Sequence, residues 1–271
     1  MGVPAQADER LALGIAMAKD GVKIHYAFGG SGSPTLVFIH GWNCDRSYWS
    51  AQIPIFALTH QVVAIDLAGH GDSGMSRVDW SMANFGADVA AVAEALQLRD
   101  IILVGHSMGG PVALEAARLL PGRVKMIIGA DTLGDVSLRY PDEQLTGMLT
   151  AMEADFPGTV EGLVRSSFFL PTSDPALIDQ IANDMSAAPP AAGIGAFEGF
   201  ARWFNEDVEQ TLTEVDVPIR LINSGYRPTN TRAGQALTAS FEAILMSDVG
   251  HFVMQEDPAQ FNAIMAGLLN R

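Results

Sequence analysis

The stretch IILVGHSMGG, residues 101–110, joins an apolar run to a glycine-rich turn that carries a serine. An unbroken apolar run of this length is typical of a strand that is buried on both faces of a parallel sheet. Gly105 and Gly109 have no side chains, so the chain can close a tight turn and leave Ser107 projecting from it. An apolar stripe of helical spacing follows over residues 112–120. The stretch therefore predicts a strand, a strained turn with an outward serine, and a helix.

Five further apolar runs have the same unbroken character. They are residues 35–40, 62–66, 124–130, 219–223 and 241–247. Two alternating stretches near the start, LALGIAMA (11–18) and VKIHYAF (22–28), predict an antiparallel hairpin at the sheet edge. Helical patterns lie between the runs, and Ser81 and Asp257 are the expected N-caps of two of them. Strands that alternate with helices predict an α/β layered fold.

One segment, from about Ser137 to Leu212, contains helical patterns and no strand run, and it is rich in Phe and Trp. A helical insertion between two strands of the sheet would lie above the sheet as a lid. We therefore expect a core domain of residues 1–135 and 213–271 and a helical cap of residues 136–212. Phe168, Phe200 and Trp203 are expected to line an apolar substrate pocket beneath this cap. An ordinary packed helical subdomain is the alternative, and the two are compatible.

Composition excludes several kinds of partner. The chain has 271 residues, a net charge of −15 and no cluster of Lys and Arg, so a nucleic acid would be repelled. No window approaches the roughly 18 uninterrupted apolar residues that a membrane span needs. The single cysteine, Cys44, and a start without the plan of a signal peptide predict a cytoplasmic location.

Four motifs together resemble the α/β-hydrolase superfamily. They are GHSMGG after a strand, HGW at 40–42, DLAGHGDSG at 66–74 and GHF at 250–252, and in this order they cover nearly the whole chain. The resemblance implies a mostly parallel eight-stranded sheet with a helical cap inserted after strand six. It also implies that Ser107 is the nucleophile and that His251 is the general base.

The residue chemistry agrees with these roles. A serine hydroxyl needs a neighbouring base to become a nucleophile, and His251 lies in the loop after the last strand run. The backbone N–H of Met108, at the start of a helix, can stabilise an oxyanion. The resemblance implies that the N–H of Trp42 is the second donor.

Three residues near these motifs are candidates for the wall of the substrate pocket. They are His40, Gly41 and His106, which lie in the HGW motif or directly beside the serine. A structural role in the turns is the alternative for the two histidines.

The acid that would orient the histidine is missing from its usual place. The superfamily usually carries it after strand seven, but residues 223–230 read NSGYRPTN, with Arg227 about where an acid is expected. Asp131 ends the apolar run 124–130, and parallel neighbouring strands end at the same edge of a sheet. Asp131 is therefore the predicted acid, Asp135 is the second choice, and a turn-capping role for Asp131 is the alternative.

These observations predict a carboxylic-ester hydrolase that forms an acyl-serine intermediate and accepts modest-sized apolar acyl or aryl groups. We expect a small-molecule ester as substrate and neither a metal nor an organic cofactor. Lactone opening, carbon–carbon bond hydrolysis and perhydrolysis on the same frame are alternatives. A sensor that retains the three side chains but serves to bind a ligand is an alternative of another class. The oligomeric state is not predicted.

Overall fold

The computed structural model describes residues 11–270, so Arg271 and residues 1–10, which bear on the predicted location, lie outside the described residues. Within this range, eight strands form one sheet. They are β1 (Ala12–Met17), β2 (Lys23–Gly29), β3 (Thr35–Ile39), β4 (Val62–Ile65), β5 (Ile101–His106), β6 (Val124–Ala130), β7 (Ile219–Ser224) and β8 (Phe241–Met246). Every apolar run named above is a strand. The most central strands, β3 to β5, are buried along their whole length because both faces of the sheet are covered.

The strand order across the sheet is β1-β2-β4-β3-β5-β6-β7-β8. The first three strands in this order pair antiparallel, and every pair from β4 to β8 is parallel. Parallel neighbours require crossover connections, which is why helices lie between them along the chain. The predicted mostly parallel eight-stranded sheet, with its antiparallel hairpin at one edge, is confirmed.

Eleven α-helices lie within residues 11–270. They are α1 (Ile53–Phe56), α2 (Met82–Ala95), α3 (Gly109–Leu119), α4 (Asp142–Ala154), α5 (Phe156–Ser167), α6 (Pro175–Ser186), α7 (Pro190–Glu206), α8 (Val208–Glu214), α9 (Thr231–Leu237), α10 (Val253–Glu256) and α11 (Pro258–Leu269). Both expected caps are confirmed: Ser81 accepts from the backbone N–H of Asn84, and Asp257 accepts from that of Gln260.

Five helices, α4 to α8, separate β6 from β7, in the segment where the sequence has no strand run. The last of them, α8, ends at Glu214, just beyond the expected boundary at residue 212. Its Thr211 hydroxyl donates to Glu115 of α3 at 2.8 Å, so α8 packs on a helix of the sheet layer. We retain the division into a core and a cap as a proposal, with α8 at the junction between them.

The register of the parallel strands decides where the polar ends of the strands meet. His106 of β5 lies opposite Ala130 of β6. The residues that follow are Ser107 and Asp131, so the two loops begin side by side at the carboxyl edge of the sheet. The next strand, β7, ends at the same edge at Ser224. Ligands of open α/β sheets bind at this edge.

Candidate active site

Ser107 lies in the turn between β5 and α3 and has a φ angle of 51°. A residue with a side chain rarely adopts this left-handed conformation, and such strain clusters at functional sites. The turn can close only because its two glycines lack side chains. A Cβ at Gly105 would lie 2.2 Å from the carbonyl oxygen of Gly109, and one at Gly109 would lie 2.6 Å from that of Ile39. These approaches explain the Gly-x-Ser-x-Gly spacing.

Ser107, His251 and Asp131 form a continuous chain of hydrogen bonds. The Ser107 Oγ lies 2.9 Å from Nε2 of His251, and Nδ1 of His251 lies 2.6 Å from Oδ2 of Asp131. An ionised carboxylate only accepts, so the imidazole proton belongs on Nδ1 and Nε2 is free to accept from the serine hydroxyl. The His251 side chain is 19% exposed, so its imidazole is partly accessible to solvent.

The end of β7 supports the Asp131 carboxylate. Oδ1 of Asp131 accepts a hydrogen bond of 2.8 Å from the backbone N–H of Ser224, and the Ser224 hydroxyl donates to the carbonyl of Val249 at 2.6 Å. The neighbouring Asn223 side chain accepts from the N–H of Thr132 and donates to its carbonyl, at 3.2 and 3.0 Å. These contacts hold the loop that begins at Asp131, whose φ angle is 42°.

Asp135, the second choice for the acid, lies elsewhere in the same loop. Its carboxylate accepts from the backbone N–H and hydroxyl of Ser137 and from the side-chain amide of Asn230. Arg227, in the loop after β7, is exposed and donates to the carbonyl of Ser167 at 2.7 Å. Of the two carboxylates considered from sequence, Asp131 is the one hydrogen-bonded to His251.

Trp42 and Met108 carry the two backbone N–H groups that were expected to stabilise an oxyanion. In the part of the chain that the structure describes, neither the N–H of Trp42 nor that of Met108 donates a hydrogen bond to a protein acceptor. Met108 stands at the N-terminus of α3, where the helix dipole favours negative charge. Gly41 places the other loop directly against the serine, since a Cβ there would lie 3.2 Å from the Ser107 Cβ.

Aromatic rings from the inserted helices and their connections lie beside these groups. The half-buried Phe168 ring is centred 4.7 Å from the His251 ring. The Trp42 ring lies 5.5 Å from that of Phe197, and the Trp42 indole donates to the carbonyl of Gly193 on α7 at 2.7 Å. His251 and the loop that carries Trp42 are thus both in contact with the segment between β6 and β7.

The two histidines that were candidates for the pocket wall are buried instead. His40 donates from Nδ1 to the carbonyl of Gly41 and accepts from the N–H of Leu67 at Nε2, and burial lowers its pKa to about 4. Burial also holds the pKa of His106 well below its ordinary value, and its Nε2 donates to the carbonyl of His251 at 3.0 Å. Both rings are neutral scaffolding at pH 7, so we leave them out of the proposed pocket.

Of the two aromatic candidates on α7, Trp203 is buried and Phe200 is half-buried. The buried Trp203 indole donates to Glu115 at 2.8 Å. Glu115 lies eight residues beyond Ser107 in sequence, which corresponds to about 12 Å along α3. Phe200 packs edge-on against Phe204, with centroids 5.0 Å apart. Trp203 is thus in contact with Glu115 of α3, whereas Phe168 lies beside the His251 ring.

Residues that support the site were not singled out from the sequence. Ser224 acts through its backbone N–H, for which no side chain signals the role. Asn223 could have been noticed as a polar residue at the end of a buried strand. Glu256, which accepts from two backbone N–H groups of the His251 loop, lies in a short helix that the sequence pattern does not distinguish.

No group of three or more His, Cys, Asp or Glu side chains in residues 11–270 could hold a metal ion. No helix in that range is long and apolar enough to cross a bilayer.

A sheet of this order, with a serine turn after β5 and helices inserted after β6, defines the class of α/β hydrolases. Residues 36–264 match the alpha/beta hydrolase family, and the chain belongs to that family of enzymes.

Relatives within the class differ in their chemistry. The non-heme chloroperoxidase of Streptomyces lividans is 32% identical over 229 residues, which are 76% of this chain and 79% of that protein. The structure of Est816, an N-acyl homoserine lactone degrading enzyme, is 25% identical with a TM-score of 0.77 and covers 94% of this chain and 99% of its own. An esterase from Exiguobacterium antarcticum has a TM-score of 0.81 at 20% identity, over 95% of this chain and 99% of that one, a likeness of fold alone.

Proposed function

We propose that the chain is a serine hydrolase that cleaves small-molecule carboxylic esters through an acyl-serine intermediate. The observation that carries the proposal is the hydrogen-bonded chain from Ser107 through His251 to Asp131. A serine hydroxyl is a weak nucleophile, and this arrangement provides the base that activates it and the acid that orients the base.

In the acylation step, Ser107 Oγ attacks the ester carbonyl while Nε2 of His251 takes the hydroxyl proton. Asp131 keeps the proton on Nδ1 and stabilises the imidazolium without being protonated itself. His251 then donates the proton from Nε2 to the leaving alcohol. In the second step His251 takes a proton from water as the water attacks the acyl-serine, and it returns that proton to Ser107 Oγ as the acid is released.

The negative charge that develops on the carbonyl oxygen needs donors already in place. The N–H groups of Trp42 and Met108, which have no acceptor within residues 11–270, are our candidates for these donors. Leaving a buried N–H unpaired costs about 1–3 kcal/mol, which is acceptable where the group is used in the transition state. Removal of one such donor typically costs about 3 kcal/mol of transition-state stabilisation.

The acyl or aryl group is expected to be apolar and modest in size. Phe168 lies against the base, and Phe197 packs on Trp42 in the loop over the serine. We propose that residues 136–212 act as a cap that brings these rings over the substrate. Each buried methylene contributes about 0.8 kcal/mol, so kcat/KM should rise gradually along a series of acyl chain lengths. A preference for charged acyl groups would contradict this proposal.

The decisive experiment combines covalent labelling with substitution. A sulfonyl fluoride or an organophosphate should label Ser107, and Ser107→Ala should abolish labelling and lower turnover of p-nitrophenyl esters by several orders of magnitude. Retained turnover in Ser107→Ala would reject the acyl-enzyme mechanism. Labelling by an ester in a single turnover without release of product would favour the sensor alternative.

Lactone opening is the second candidate, because the chain resembles Est816 over nearly its full length. The same serine attack opens a cyclic ester, and the alcohol then stays joined to the acyl group. Comparing kcat/KM for an N-acyl homoserine lactone with that for an open-chain ester of the same acyl group separates the two candidates.

A cytoplasmic location stays a prediction from the sequence.

A further inference from the structure

The loop that carries His251 forms hydrogen bonds with several parts of the chain. The His251 N–H donates to the carbonyl of Phe168 at 2.6 Å, and its own carbonyl accepts from Nε2 of His106 at 3.0 Å. The residues on either side are bound to one carboxylate. Oε1 of Glu256 accepts from the N–H of Gly250 at 2.9 Å and from that of Phe252 at 3.2 Å.

The other oxygen of Glu256 faces the inserted segment. Oε2 accepts a hydrogen bond of 2.6 Å from the hydroxyl of Ser173, in the connection between α5 and α6. That hydroxyl also accepts from the N–H of Leu170 at 3.1 Å, so it is oriented on both sides. Phe168, which accepts from His251, lies in the same connection. Residues 168–173 therefore meet the base loop at two points, one direct and one through Glu256.

We propose that Glu256 is a positioning residue for His251 and that it links the placement of the base to residues 168–173 of the inserted segment. The inference rests on the proposed function, in which His251 moves the proton. Nε2 of His251 must stay within hydrogen-bond reach of Ser107, and a displacement of about 1 Å can lower a rate by about 10²-fold. Fixing the N–H groups on both sides of His251 restrains the backbone from which the imidazole projects.

A purely local role for Glu256 would account for only part of this geometry. Phe252 is the N-cap of α10 and has no side-chain cap, so Glu256 could simply satisfy that helix end. Gly250, however, precedes His251 and lies outside the helix. Ser173 comes from another part of the chain altogether. The carboxylate thus joins three segments around the base.

The test begins with the kinetics of three variants of the full chain on p-nitrophenyl butyrate. Glu256→Ala should lower kcat by about 10²-fold with KM within roughly threefold, since the loss concerns proton transfer rather than binding. Glu256→Gln keeps an acceptor oxygen for both N–H groups and should restore kcat to within roughly tenfold of the parent. Asp257→Ala is the matched control, because it removes an N-cap from the adjacent helix without touching the His251 loop.

A double-mutant cycle tests the link to the inserted segment. Ser173→Ala should lower kcat by roughly tenfold in the parent and have no further effect in Glu256→Ala, because the hydroxyl acts through the carboxylate. If Glu256→Ala lowers kcat no more than Asp257→Ala does, the positioning role is wrong. If the effects of Ser173→Ala and Glu256→Ala on kcat multiply, the link through Glu256 is wrong.

A measurement that does not need turnover separates this inference from the proposed function. The Nδ1 proton of His251, bonded to Asp131, should give a downfield proton resonance in the parent. The resonance should broaden through faster exchange with solvent in Glu256→Ala and stay sharp in Glu256→Gln and Asp257→Ala. An unchanged resonance in Glu256→Ala overturns the inference even if Ser107 proves to be the nucleophile. Failure of Ser107 to react overturns the proposed function while the resonance still reports on positioning.

Discussion

The ends of β6 and β7 lie side by side at the same edge of the sheet and contribute opposite things to the site. β6 ends in front of a carboxylate, Asp131, which bonds to His251. β7 ends in neutral groups, the side chain of Asn223 and the N–H of Ser224, which hold the carboxylate and its neighbour Thr132. One strand therefore provides the carboxylate that contacts His251, and the adjacent strand provides the groups that hold this carboxylate in place. A strand without an acid can still determine the geometry of the site.

The division has a simple physical basis. A carboxylate has two oxygens, and a backbone N–H on Oδ1 leaves Oδ2 free to point in one direction, toward Nδ1 of His251. The left-handed backbone at Asp131 turns its side chain from the line of β6 toward this partner. Such a conformation is strained and needs neighbours that hold it, which is the role of β7.

The largest loss of turnover in this comparison should follow from removing the charge of Asp131, at the end of β6. Asp131→Asn is nearly isosteric, so the fold and ester binding should persist while turnover falls by about 10⁴-fold through loss of tautomer control. Steady-state kinetics with a p-nitrophenyl ester measure kcat, and circular dichroism checks the fold. Turnover close to that of the parent would mean that Asp131 only caps its turn.

Removing the support that β7 gives to the Asp131 loop should lower turnover less than the loss of the Asp131 charge does, and it should also lower stability. Asn223→Ala leaves the N–H and the carbonyl of Thr132 buried without a partner, at a cost of about 1–3 kcal/mol in the free energy of unfolding. Turnover should fall by roughly tenfold to a hundredfold, because the loop that carries Asp131 loses its support. Urea unfolding and kcat are the two measurements.

Asn205 offers a matched control for that substitution. Its side chain accepts from the N–H of Tyr140 and donates to its carbonyl, the same pair of contacts, but between α7 and the start of the inserted segment. Asn205→Ala should lower stability in the same way and leave kcat unchanged. Equal losses of kcat in both variants would show that β7 has no special role at the site.

The contrast between these strands also shows what the sequence can predict. Local sequence patterns are enough to predict the strands, the serine turn and the position of Asp131. An unbroken apolar run indicates a buried strand, and the residue that follows the run is then expected at the edge of the sheet. Phe168 and Trp203 are both aromatic residues of the inserted segment, and the sequence gives no reason to tell them apart. The Phe168 ring nevertheless lies beside His251, whereas Trp203 is buried against Glu115. The surroundings of each ring depend on packing between segments that are distant in sequence, so no local pattern distinguishes the two residues.

A modest effect is expected at Ser224. Ser224→Ala keeps the backbone N–H that bonds to Asp131 but removes the hydroxyl that donates to Val249 and accepts from the N–H of Tyr226. The free energy of unfolding should fall by about 1 kcal/mol, and kcat by no more than roughly threefold. A drop in kcat as large as that of Asn223→Ala would mean that the hydroxyl, rather than the N–H, sets the position of the carboxylate.

The smallest effect is expected from the second carboxylate of the β6 loop. Asp135 bonds to Ser137 and Asn230, and its side chain is not among the contacts of His251. Asp135→Asn keeps an acceptor oxygen for its neighbours at a half-buried position, so the free energy of unfolding should change by only about 0.5 kcal/mol. Turnover should stay within roughly twofold of the parent, since neither the charge nor the orientation of Asp131 depends on this group. The same kinetic assay compares Asp135→Asn directly with Asp131→Asn. If kcat collapses in Asp135→Asn and stays near that of the parent in Asp131→Asn, Asp135 rather than Asp131 is the acid. The proposed division of roles between β6 and β7 is then wrong.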